Sequence, residues 1–184
     1  MNTGVSYYNV GTTFKYNGWE CDVETDFAGC GHTLWVNSSH QQSLGQPSVG
    51  DRILIYQSIK GHDQLLTHVV KCVGKSAYKF SSKFPKEQAA IMVLHRWPFT
   101  REMEVLAVLK PSAFGGRVLR RESNPMQLHA KRIEPNVLRV TSIVGPISQP
   151  PNGYVYPAPK AMLSERDLRD KLSKSGLYSI SETW

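Results

Sequence analysis

The stretch Val49-Gly50-Asp51-Arg52-Ile53-Leu54-Ile55-Tyr56-Gln57-Ser58 constrains this chain more than any other. After a polar loop it is answered by Thr67-His68-Val69-Val70-Lys71-Cys72-Val73-Gly74. A Gly-Asp turn launches a short run of Ile and Leu, and a Val-rich run returns. Short β-branched runs bounded by Gly and Asp are strands, not helices. Gly61 and Asp63 lie in the connection between them and suit a turn. The pair reads as two neighbouring strands of a small barrel, with Tyr56, Gln57 and Ser58 at its mouth.

Further strands are expected at Leu34-Trp35-Val36, at Met92-Val93-Leu94, from Met103 to Leu109, and from Val137 to Val144, where alternation is clearest. Asn37 to Pro47 is a polar loop. Pro85 followed by Lys-Glu-Gln-Ala-Ala-Ile-Met predicts one or two helical turns. Residues 1–31 are Gly- and Asn-rich and read as an arm or short hairpin. The strongest helix signal is late in the chain. Ser164 and Asp167 form a capping-box-like start, Leu168 and Leu172 share a face, and Gly176 stands just past the end. Together these elements predict an α+β, β-rich fold: a mixed β-barrel with short flanking helices. Residues 1–150 would form one barrel domain with its N-terminal arm. Residues 151–184 would add a Pro-rich strap and a C-terminal helix packed on it.

The 184 residues suffice for one core, and no run of about 18 apolar residues exists that could cross a membrane as a helix. The first residues carry neither a basic start nor an apolar segment, so no secretory signal is expected. Cys21, Cys30 and Cys72 are odd in number and show no disulfide framework, which suggests a reducing, cytoplasmic setting. The net charge of +7 is unevenly spread. Residues 1–50 carry one Lys against four acids, residues 51–110 ten cations against five acids, and residues 111–140 six against two. A basic middle favours polyanionic partners through a sequence-blind electrostatic attraction, although an excess of Lys also simply keeps a protein soluble.

Catalytic signals are sparse. Cys21, Cys30 and His32 are too loosely spaced for a zinc site, and isolated thiols usually pack as small hydrophobes. No phosphate-cradling Gly loop precedes a helix, and no His-x-x-x-His appears on one. No metal and no cofactor are expected. The aromatics are more informative. Trp35 precedes Asn37-Ser38-Ser39, and Trp97 sits in His95-Arg96-Trp97-Pro98-Phe99. A flat base needs aromatic faces beside small donors and acceptors, although a tryptophan is most often a core residue. Arg96, Arg101, Arg117, Arg120, Arg121, Lys131 and Arg132 are candidates for contacting a nucleic-acid backbone.

These residues resemble a known family. The Val-Gly-Asp-Arg-Ile-Leu-Ile-Tyr-Gln-Ser strand and its Thr-His-Val-Val-Lys-Cys-Val-Gly partner are similar to the strand pair of EVE-type domains in the PUA-like superfamily, which also holds YTH and ASCH domains. Leu34-Trp35-Val36-Asn37-Ser38-Ser39 resembles the first strand and pocket-forming turn of such domains. Arg96-Trp97-Pro98-Phe99 with Glu102 to Leu109 resembles their aromatic-then-strand segment. The likeness covers roughly residues 33–110. It implies a pocket that accepts a flipped, often modified, base from DNA or RNA. Trp35 and Trp97 would be the walls, Asn37, Ser38 and Ser39 would read the base edge, and Tyr56, Gln57 and Ser58 would line the rim.

Nucleic acid is therefore the expected partner and a membrane is not. Two other readings stand beside it. One is a small hydrolase or nuclease using Cys30, His32 or His68. The other is an adaptor that docks a protein partner through the strap, the C-terminal helix and Trp184.

Overall fold

The computed structural model describes residues 7–11, 30–31, 33–38, 40–59, 62–79, 98–114, 133–147, 155–159 and 162–184. Eight strands form one sheet: β1 (Tyr7–Gly11), β2 (Thr33–Ser38), β3 (Arg52–Ile59), β4 (His62–Cys72), β5 (Tyr78–Lys79), β6 (Phe99–Leu109), β7 (Val155–Pro157) and β8 (Tyr178–Ile180). Among the described residues three α-helices accompany them, α1 (Gln41–Gly45), α2 (Thr141–Val144) and α3 (Glu165–Ser175), with a short 3-10 helix at Pro111–Phe114. The main path runs β2-β6-β4-β3-β1-β7, with β5 and β8 also on β6. All ladders are antiparallel except β1 with β3.

The long β6 is the spine. One flank pairs with β2 at its start and β8 at its end; the other pairs with β5 at its start and β4 at its end. Met103, Val105, Leu106 and Ala107 are fully buried, and so are Ile53, Leu54, Val69 and Val70 across the neighbouring strands. A strand packed on both faces reads as a near-continuous apolar run, which is what β3 and β4 show. Gly50 turns into β3 at φ +94, where glycine's missing Cβ removes the strain.

The expectation of a barrel is corrected. The sheet stays open, because β2 and β7 at the two ends of the path form no ladder. Helix α1 lies in the gap. Ser43 Oγ donates to the carbonyl of Val155 on β7 at 2.8 Å and accepts its N–H at 2.7 Å. The carbonyl of Leu44 is held by Arg101 of β6. A helical wedge thus links both edges without hydrogen-bonded closure.

The segment after residue 150 is woven into the same sheet, since β7 pairs with β1 and β8 with β6. Helix α3 has the expected ends: Ser164 Oγ accepts the Asp167 N–H, and Gly176 closes it at φ +69. Residues 137–144 depart from expectation. Arg139 makes one bridge to Leu65, and the chain then turns into α2. Val140, Ile143 and Val144 are buried, and their i, i+3, i+4 spacing is that of a helix face. The alternation that suggests a strand is overruled by packing. The expected helix after Pro85 and the strand at 92–94 lie outside the described residues.

Candidate functional site

The register of the sheet divides the expected site residues between two ends. Asn37, Thr100 and Tyr78 share one row across β2, β6 and β5, and Ser38, Phe99 and Lys79 form the next. At the far end, Ile55, His68 and Val108 share a row, and Tyr56 lies beyond it. Phe99 and Val108 are nine residues apart on one strand, which corresponds to about 30 Å. Tyr56, Gln57 and Ser58 therefore do not rim a pocket begun at Asn37 and Ser38. Tyr56 is also buried in the core.

Ser38 is corrected as well. It is fully buried, and its Oγ accepts the His40 N–H at 2.9 Å, which fixes the turn from β2 into α1. Arg101 is no phosphate contact. It is 2% exposed, with Nε on the Gly74 carbonyl and Nη1 on the Leu44 carbonyl, both at 3.0 Å. It braces α1 against the turn between β4 and β5. Gly74 is needed there, since a Cβ would meet the Glu102 amide nitrogen at 3.0 Å. Trp35 pairs with Glu102 through the backbone. Ser39, Arg96, Trp97, Arg117, Arg120, Arg121, Lys131 and Arg132 lie outside the described residues, as do Cys21 and His32.

What gathers at the start of β6 is a corner of β2, α1, β5 and β6. Half-buried Tyr78 and Phe99 belong to adjacent rows, and so to opposite faces of the sheet, near the turn that carries half-buried His40 and exposed Gln41 and Gln42. Gln41 Nε2 donates to the Ala77 carbonyl at 3.2 Å, so α1 touches the approach to β5. Burial, reinforced by Glu102, pushes the Tyr78 hydroxyl above its ordinary pKa and keeps it a neutral donor. Thr100 Oγ1 is buried with no hydrogen-bond partner. Lys75 and Lys79 are exposed beside it. Tyr78 and Gln41 are not among the residues the sequence singles out, and Arg101 is singled out there as a phosphate contact and not as a brace. A Tyr two residues past a Gly-Lys-Ser-containing turn was the available signal for the first.

The other end is different. A cleft of about 730 Å³, open along one side, lies between residues 135–142 and the last turns of α3. Arg139, Lys171 and Lys174 line it, with hydroxyls of Thr141, Ser142 and Ser175. Its wall is fixed to the core: Leu66 N–H donates to Leu138 O, Val140 N–H to Gln64 O, and Tyr178 Oη to Leu66 O, all at 2.8 Å.

Of the groups proposed for nucleophilic chemistry, Cys30 and His68 are described, and each is held by burial and a local hydrogen bond. Cys30 donates its thiol to the Ser179 carbonyl at 3.1 Å, and burial raises its pKa. Burial likewise raises that of Cys72, against the opposing pull of Arg101. His68 is fully buried with Nδ1 on Thr67 Oγ1, and burial holds its pKa down to about 3. Among the described residues no cluster of His, Cys, Asp or Glu could hold a metal ion, and no helix is long and apolar enough to cross a membrane. Trp184 folds back half-buried, donating Nε1 to Glu165 Oε1 at 2.8 Å.

No family model and no curated protein matches the chain. Among solved structures it is similar to one described as "Structure of Hypothetical protein from Leishmania major", with 14% identity and a TM-score of 0.42 over 95% of this chain and 99% of the other.

Proposed function

We propose that this chain is a nucleic-acid-binding module of PUA-like type that receives one base at the β2–α1–β5–β6 corner. The observation that supports it most is the convergence of β2, β5 and the polar turn after Ser38 on the start of β6, which brings half-buried Tyr78 to one face of the sheet and half-buried Phe99 to the other. Aromatic faces bind any base, while amides and hydroxyls discriminate its edge. Gln41 and Tyr78 supply such groups, and Trp97, two residues before Phe99 in sequence, would add a further ring. Exposed Lys75 and Lys79 would hold the flanking phosphates.

The test is fluorescence anisotropy with single-stranded oligonucleotides bearing plain and modified bases. Binding that favours some bases and weakens with salt is expected. Affinity unchanged between roughly 50 and 200 mM salt would rule the reading out, because phosphate contacts release counterions.

A further inference from the structure

We propose that the cleft between residues 135–142 and the C-terminal turns of α3 is a second, base-independent site for phosphate groups, and that it carries the sugar-phosphate backbone of the strand whose base enters the opposite corner. This rests on the nucleic-acid reading above. Among the described residues three cations line the cleft, Arg139 from one wall and Lys171 and Lys174 from the other, and no carboxylate does. Of these, Lys174 is partly offset by Asp170 one turn earlier, at 2.6 Å. Among the described residues Arg139 and Lys171 enter no ion pair. Thr141 and Asn136 add hydrogen-bonding groups suited to phosphate oxygens.

Shape selects the ligand form. A volume of about 730 Å³ exceeds what one phosphate fills, and the cleft is shallow and broadly open to solvent. Small-molecule sites are enclosed and mostly apolar, whereas an open cationic trough suits a continuous backbone. The wall is rigid, because residues 138 and 140 are hydrogen-bonded to the first residues of β4. The cleft and the corner stand at opposite ends of β6, about 30 Å apart along the strand. A stacked strand rising about 3.4 Å per nucleotide needs on the order of nine nucleotides to reach both.

The experiment titrates ¹⁵N-labelled full chain with a twelve-residue oligothymidylate and, separately, with inorganic pyrophosphate. The amides of residues 136–142 and 171–175 should shift with both probes. Lys171→Glu and Arg139→Glu, from opposite walls, should each lower oligonucleotide affinity about fourfold or more near 0.15 M salt and reduce the salt slope by about 0.7. Far-UV circular dichroism confirms that each variant folds. Oligonucleotide binding that leaves these amides and both variants unaffected overturns the cleft and keeps the base-binding reading. Pyrophosphate shifts without any oligonucleotide binding would leave a site for free phosphates and overturn the backbone role. Silence from both probes overturns both proposals.

Discussion

The two ends of β6 solve different problems with the same strand. At its start, β2, β5 and α1 converge on Phe99 and Tyr78, and a buried guanidinium holds the corner through two backbone carbonyls. At its end, β8 and the first residues of β4 anchor the 133–147 segment, and cations line an open trough. The first end is half-buried and aromatic, and the second is wet and charged. The contrast teaches that charge and recognition need not coincide. A surface for phosphates only needs cations on a stiff wall, whereas a surface for a base needs rings and hydrogen-bonding groups held in place.

The largest test of that contrast is Arg101→Ala. Losing the guanidinium leaves the Gly74 and Leu44 carbonyls without their donor and opens a cavity. Urea denaturation should show a loss of about 3 kcal/mol or more. Hydrogen exchange should rise around α1 and β5 while residues 136–142 stay protected; equal loosening of both ends would show that the brace serves the whole sheet.

Acid should attack the other end. The folded pKa of His68, about 3, lies below its ordinary 6.5, so the unfolded chain binds the extra proton first. The stability that His68 confers is complete above about pH 6.5 and is lost as pH falls toward 3. At pH 4.5 the loss should be about 2–3 kcal/mol. Comparing urea midpoints at pH 7 and 4.5 for wild type and His68→Gln checks this; an equal pH dependence in both would place the titrating group elsewhere.

Binding sharpens the comparison next. Trp97→Ala should weaken oligonucleotide binding by about 1–3 kcal/mol, or roughly 5- to 150-fold, with base preference lost. Gln57→Ala, at the far end, should leave base preference untouched. Were Gln57→Ala the damaging change, the corner would be the wrong end. The smallest effect belongs to Trp184→Phe, which keeps the ring but loses the bond to Glu165. It should cost about 1 kcal/mol in thermal unfolding, without changing affinity at either end.

Much of the sheet was legible because β3 buries Ile53 to Tyr56, β4 buries Leu65 to Val70 and β6 buries Val105 to Leu109, leaving apolar runs that strands explain. Helix α3 was legible from Ser164, Asp167 and Gly176, whose roles are local. The open sheet was not, since its closure depends on Ser43 meeting Val155 across 112 residues. Nor was the split of the site. Tyr56-Gln57-Ser58 and Asn37-Ser38-Ser39 both end strands, but only pairing through β4 and β6 shows that these ends face opposite ways. Arg101 looks in sequence like any strand cation, and only three-dimensional burial makes it a brace.

One atom, Glu165 Oε1, accepts from Arg52 Nε at 2.9 Å and from Trp184 Nε1 at 2.8 Å, and pairs with Arg52 Nη2 at 2.8 Å. It is a keystone shared by the start of β3, the first turn of α3 and the last residue of the sequence. In the wild type the amides of all three should therefore open as a single cooperative unit in native-state exchange, and Glu165→Ala should let them open separately.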